Sequence, residues 1–201
     1  MVISPRRDSL IRLLKRYCAE VNSESILEIG AGKNANSSSY FKDFKEYLTL
    51  DPDPNTFPDK IAFGEDMPFK SQYFDTILAT EVLEHCNNPV AFLRECSRVL
   101  KKGGNLILSA PFLTPIHMEW DYWRFTGKGL KKLVSKDFEI VELIKMGDSS
   151  EAIIQIFHMQ YRKRALLAFI PLLRLILAIL SKFKIKEISG ATGYFIIAKN
   201  L

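Results

Sequence analysis

Apolar positions at Leu10, Ile11, Leu13, Leu14, Tyr17, Cys18 and Val21 recur at helical spacing and lead into the short apolar run Ser25-Ile-Leu-Glu-Ile29, which Gly30 stops. This pattern predicts a helix followed by a buried strand. Further strands are predicted at Tyr47-Leu-Thr-Leu50, Phe74-Asp-Thr-Ile-Leu-Ala79 and Asn105-Leu-Ile-Leu-Ser109. A helix from Pro89 to Leu100 has Asn88 as its N-cap and Pro89 in its first turn. Strands alternating with helices predict βαβ units, right-handed crossovers and a doubly wound, mainly parallel α/β sheet, with ligands beyond the carboxyl ends of the strands. After Ser109 the pattern changes to a loop rich in aromatics (Pro111 to Phe125), a helix from about Gly127 to Ser135, a strand at Phe138 to Ile144 and a last strand at Gly193 to Ala198. Residues 152–187, between the last two strands, read as an apolar, basic helical insertion within one domain spanning 1–201.

Composition narrows this picture. A chain of 201 residues, 47% apolar, buries a core of its own without disulfides or a structural metal. Cys18, Cys86 and Cys96 are odd in number and lack ligand spacing, which argues against a disulfide framework and a zinc site and for a reducing cytoplasm. Ile3 to Arg16 is basic and broken by charge, unlike a secretory leader. The net charge of +5 is local: seven of the 28 Lys/Arg fall between Arg162 and Lys186, where no acid occurs, leaving 21 against 23 acids elsewhere. A basic face for nucleic acid is therefore not expected.

Glu28-Ile-Gly30-Ala-Gly32 stands where the first predicted strand turns. Glycines there let backbone amides approach a ligand that any Cβ would block. Asp51, nineteen residues after Gly32, closes the next strand, where a carboxylate can accept hydrogen bonds from both hydroxyls of a ribose. The pair points to an adenosine-containing ligand. Gly30-x-Gly32-x-x-Ala35 also satisfies the fingerprint of NAD-dependent oxidoreductases, so that class stays open. Glu28 weighs against it, because an anion gains nothing beside two phosphates but does gain beside the ammonium and sulfonium of S-adenosylmethionine. The plainer alternatives are a tight turn at the glycines and a turn role for Asp51 in Asp51-Pro-Asp-Pro54.

From about Ser25 to Phe138, and again in the final strand, the sequence resembles class I S-adenosylmethionine-dependent methyltransferases, in particular a small bacterial group with a motif like P-x-x-x-x-x-H-x-x-x-D-Y-W-R-F-T. The parts that carry the resemblance are Ile26-Leu-Glu-Ile-Gly-Ala-Gly32, Leu50-Asp51-Pro52, Met67-Pro-Phe69 with Tyr73-Phe-Asp75, and Glu81-Val-Leu-Glu-His85. They continue with Arg98-Val-Leu-Lys-Lys-Gly-Gly104 and with Pro111 through His117 to Asp121-Tyr-Trp-Arg-Phe-Thr126. The resemblance implies a seven-stranded Rossmann-like sheet with a C-terminal antiparallel strand and S-adenosylmethionine as cofactor. It places Glu28, Gly30, Ala31 and Gly32 at the methionine end, Asp51 and Pro52 at the ribose, and Gly64, Glu65 and Thr80 around the adenine. Where relatives often carry an acid for the adenine amine this chain has Phe63, whose ring can stack on adenine instead, and Asn34 stands where many have glycine.

Methyl transfer is an in-line displacement at carbon already activated by the sulfonium, so it asks for alignment, exclusion of water and a base, and for no metal. His117 is the histidine of the acceptor-side loop and the candidate base; alternatively it bonds to Asp121 or to loop backbone and holds the loop. Arg124 is either an ion pair fixing that loop or a clamp on a phosphate or carboxylate of the substrate. Tyr122, Trp123 and Phe125 offer aromatic faces to a sulfonium. Glu81-x-x-Glu84-His85 is read as capping and packing rather than a metal site, since adjacent side chains diverge on a helix, and Cys86 and Cys96 are read as core.

The insertion is apolar from Ala165 to Leu180, flanked by Arg162-Lys-Arg164 and by Lys182, Lys184 and Lys186. Its sixteen residues would span about 24 Å as a helix, short of the roughly 30 Å hydrocarbon core. Residues 162–186 are expected to lie at an anionic membrane surface, the inner leaflet for a cytoplasmic protein, or else to pack over the sheet or against a second subunit. The expected function is methyl transfer to a small-molecule, glycan or lipid-linked acceptor, at oxygen; the alternatives are a binding protein that kept the fold and lost turnover, and an oxidoreductase using NAD.

Overall fold

A computed structural model describes residues 5–21, 23–32, 37–116, 118–160, 170–180 and 190–201. Helix α1 (Pro5–Glu20) leads into β1 (Ser25–Ile29), β2 (Glu46–Asp51), the two-residue β3 (Lys60–Ile61) and β4 (Phe74–Thr80). These are followed by α2 (Pro89–Val99), β5 (Leu100–Pro111), α3 (Gly127–Val134) and β6 (Phe138–Met146). Helices α4 (Ser149–Gln160) and α5 (Ile170–Leu180) precede β7 (Gly193–Asn200). The seven strands form one sheet in the order β3-β2-β1-β4-β5-β7-β6. The first five are parallel, and β7 runs antiparallel to both of its neighbours, as expected of the closing strand.

Successive side chains of a strand point to opposite faces, and the central strands are covered on both, which is why they read as unbroken apolar runs. Leu27, Ile77, Leu106 and Ile196 enter the core under α2 and α3, where Phe92, Leu93 and Val134 meet them. Ile26, Leu78, Ile107 and Phe195 enter the opposite core with Leu14, Tyr17 and Cys18 of α1. All three cysteines are buried and unpaired, in keeping with the core role read from the sequence. Burial pushes the Cys18 thiol up to about 12, and it raises Cys86 and Cys96 as well, so none is a thiolate nucleophile near neutrality.

The element boundaries differ from the sequence reading where a local breaker was overruled. Strand β5 starts at Leu100 rather than Asn105, because Leu100 already pairs with Phe74, and a register shift carries the ladder past Lys101–Gly104 to Asn105 opposite Thr76. β3 was not anticipated; two exposed residues carry no periodicity. The insertion begins as α4 at Ser149, three residues before its expected start, with Asp148 accepting hydrogen bonds from the Ser150 and Glu151 amides. Residues 161–169 and 181–189, and with them Arg162, Arg164, Lys182 and Lys186, lie outside the described residues.

Candidate active site

Because β1, β2, β4 and β5 are parallel, the turns that follow them gather at one edge of the sheet. Gly30 has φ of +70° and its amide donates to the Leu50 carbonyl at 2.8 Å. A Cβ there would stand 2.4 Å from Val82 Cγ2. Gly32, at φ +62°, would carry its Cβ into open space, with none of the described residues within 4 Å. One glycine is thus demanded by packing, while the other leaves the backbone uncovered. Ala31 between them is half-buried, and Asn34 lies outside the described residues.

Asp51 ties this loop to the next. Its carboxylate accepts from the Gly32 amide at 3.3 Å and from the Asp53 amide at 2.9 Å, and it is buried at the end of β2 with Pro52 exposed beside it. Glu28 is buried on β1 and accepts from the Ser37 hydroxyl at 2.7 Å and the Tyr47 hydroxyl at 2.6 Å. Burial pushes its pKa above the ordinary carboxylate value, and those two hydrogen bonds oppose the rise. Each oxygen keeps a second acceptor position. The two acids therefore stand near the carboxyl ends of neighbouring strands, and Asp51 is tied to the glycine loop through Gly32.

The residues carried over to the adenine end sit in and beside the turn after β3 and at the end of β4. Gly64 is buried, and a Cβ on it would meet the Phe92 ring at 2.6 Å, so packing against α2 accounts for this glycine. Glu65 accepts from the Asn88 amide at 3.4 Å, Thr80 closes β4 opposite Ser109, and the Phe63 side chain is exposed.

Beyond β4 the chain turns sharply through Glu81, a non-glycine residue at φ +58°. Its amide donates to the Ser109 carbonyl, its carboxylate accepts from the Ser109 hydroxyl at 2.9 Å, and Arg6 of α1 forms an ion pair with it. Leu83–His85 then forms a short 3-10 turn that buries Glu84 completely, and no described residue hydrogen-bonds to its carboxylate oxygens. Burial, followed by the charges of Glu81 and Asp121, pushes Glu84 up to about 8. The expectation that Glu84 and His85 diverge is corrected here: the tighter 3-10 turn leaves His85 Nε2 3.8 Å from Glu84 Oε1.

The aromatic loop is fastened to this turn by its backbone. The Glu84 carbonyl accepts from the Tyr122 and Trp123 amides, Trp123 Nε1 donates to the Cys86 carbonyl at 2.8 Å, and His85 Nδ1 lies 2.9 Å from the Trp120 carbonyl. Arg124 grips Asp121 with both terminal nitrogens and donates as well to the carbonyls of Thr114, Pro115 and Trp123. A guanidinium has five N–H groups, and here each has an acceptor within the loop. His117 lies outside the described residues. Arg6 was missed by the sequence reading, since an arginine at the start of a basic helix gives no sign of a partner 75 residues on. Two surface recesses of about 260 and 480 Å³ lie elsewhere, one at the amino edge by Gln72 and Asn200, the other between α1 and Tyr40.

Residues 27–108 match the family model described as a methyltransferase domain. A ubiquinone/menaquinone biosynthesis C-methyltransferase of Coxiella burnetii is 35% identical over 101 residues, which is 46% of this chain and 40% of that protein. The chain spans under half the length of such curated relatives. Among solved structures, the N-methyltransferase NodS of Bradyrhizobium japonicum in complex with S-adenosyl-L-homocysteine matches with a TM-score of 0.63 at 12% identity, covering 98% of this chain and 88% of that one. The [4+2]-cyclase SpnF matches with a TM-score of 0.62 at 16% identity, covering 96% and 81%. At such identities the likeness concerns the fold alone.

Proposed function

We propose that this chain, whose residues 27–108 match a methyltransferase-domain model and whose fold is shared with solved structures such as NodS, transfers a methyl group from S-adenosylmethionine to a hydroxyl of a small-molecule, glycan or lipid-linked acceptor. The observation that carries this reading is the joining of Gly32 and Asp51 at the carboxyl edge. An uncovered glycine backbone and a buried carboxylate stand 3.3 Å apart there, a cradle for a ribose whose hydroxyls Asp51 accepts. Bound there, S-adenosylmethionine would supply a methyl group on a sulfonium. Glu28, Gly30 and Ala31 would hold its amino-acid end, Pro52 would border the ribose, and Gly64, Glu65 and Thr80 the adenine.

The donor set fits a cationic cofactor: two buried carboxylates meet it, and Glu28, made less acidic by burial, gains most from an incoming cation. On the acceptor side Tyr122, Trp123 and Phe125 exclude water, Arg124 and Asp121 fix the loop that carries them, and His117 takes the hydroxyl proton. The carbon acceptor in the name of the Coxiella protein and the nitrogen acceptor of NodS belong to those proteins.

Calorimetric titration tests the reading. S-adenosylmethionine binds to the wild type with micromolar affinity, and Asp51→Ala weakens it at least about thirtyfold, the worth of two charge-assisted hydrogen bonds. Binding of NAD instead would make the chain an oxidoreductase, and binding of neither would make it a protein that kept the fold without the reaction.

A further inference from the structure

The excursion between β6 and β7 departs and returns at the edge of the sheet that carries the candidate site. Met146, at the end of β6, pairs with Gly193, at the start of β7, and Gly193 pairs with Pro111, the last residue of β5. The aromatic loop leaves from Pro111. Helix α4 packs against both α1 and α5, burying Ala152 and Ile154 while Ile153 and Ile156 stay exposed. On α5, Leu172, Leu175, Ile176 and Ile179 are 45–59% exposed. Their spacing places them on one face of the helix, so α5 turns an apolar stripe to solvent. The aromatic loop adds Ile116, Met118 and Trp120, all exposed, at the same edge of the sheet.

Charge says what covers the stripe. Seven Lys/Arg and no acid lie between Arg162 and Lys186. In the sequence, Arg164 stands six residues before α5 and Lys182 two residues after it. A protein partner buries apolar surface without needing such an excess of one sign, whereas an anionic headgroup layer over an acyl boundary meets both features at once. Eleven helical residues reach only about 16 Å, and no helix among the described residues is long and apolar enough to cross a membrane.

We propose that α5, with the exposed edge of α4, docks the chain on an anionic membrane leaflet, bringing the acceptor edge of the sheet to the lipid surface. This deepens the functional reading by naming the partner of the acceptor side, and only the choice of a lipid-linked acceptor rests on that reading.

Flotation with extruded vesicles tests it, using phosphatidylcholine alone and phosphatidylcholine with about 30% phosphatidylglycerol, at about 0.1 M salt. The wild type binds the anionic vesicles at least about tenfold more tightly, and the double variant Leu175→Glu/Ile179→Glu loses at least about tenfold. Both positions are exposed, so the variant keeps its thermal melt and its affinity for S-adenosylmethionine. Equal flotation of the wild type with both vesicles, flotation undiminished in the variant, or no flotation would overturn the proposal. So would a dimer in solution that the variant converts to a monomer, which would assign the stripe to a second copy. Failure of cofactor binding with flotation intact would sink the enzymatic reading and leave the docking in place.

Discussion

Glu84 is a completely buried carboxyl group to which no described residue donates a hydrogen bond, beside two further acids. Burial holds its proton to about 8, far above the ordinary 4.5. Across that interval an unfolded chain sheds a proton that the fold retains. The stabilisation is complete below the lower value and is lost as pH rises through the upper one. Glu84→Gln keeps the shape and removes the titration, so its melting temperature should gain on that of the wild type from pH 5 to pH 8 and then run parallel to it. Melting curves that stay parallel throughout would place the ionised form in the fold. Gly30 makes a different demand. Alanine there combines a left-handed backbone with a methyl overlapping Val82, and should cost about 2 kcal/mol or more in urea unfolding. Neither property was legible in the sequence: Glu81-x-x-Glu84-His85 has the look of a polar turn, and a glycine's neighbour across the site is a matter of tertiary placement.

Elements whose signals are local were read closely. Asn88 and Pro89 start α2 where expected, and the Asn88 side chain accepts from the Val90 and Ala91 amides at 3.1 Å each. Asn88→Ala should cost about 1 kcal/mol in the same unfolding measurement, since it removes the acceptor and leaves the proline. Elements set by long-range pairing were read less well. The extension of β5 back to Leu100 depends on pairing with β4 across the Gly103-Gly104 breaker. The extension of β7 to Asn200 depends on a buried amide that donates to the Ser97, Leu100 and Lys101 carbonyls. The aromatic loop lies between these cases. Its motif was visible as a string, but the closed set of acceptors that spends every donor of Arg124 comes from residues brought together by the turn, Thr114 and Pro115 included.

At the scale of the whole molecule, four of the five parallel strands and the acid–glycine pair at their carboxyl ends followed from apolar runs and spacing, while the two exposed residues of β3 gave no such signal. The strand order did not follow, since nothing within Gly193–Asn200 says that it enters between β5 and β6. That placement bears on how the chain is made. During synthesis β5 and β6 leave the ribosome before their shared partner exists, and β5 must wait with one edge open until residue 200 has emerged. The excursion carrying the apolar stripe of α5 emerges in that interval. The apolar stripe of α5 is thus made before the strand that closes the sheet between β5 and β6.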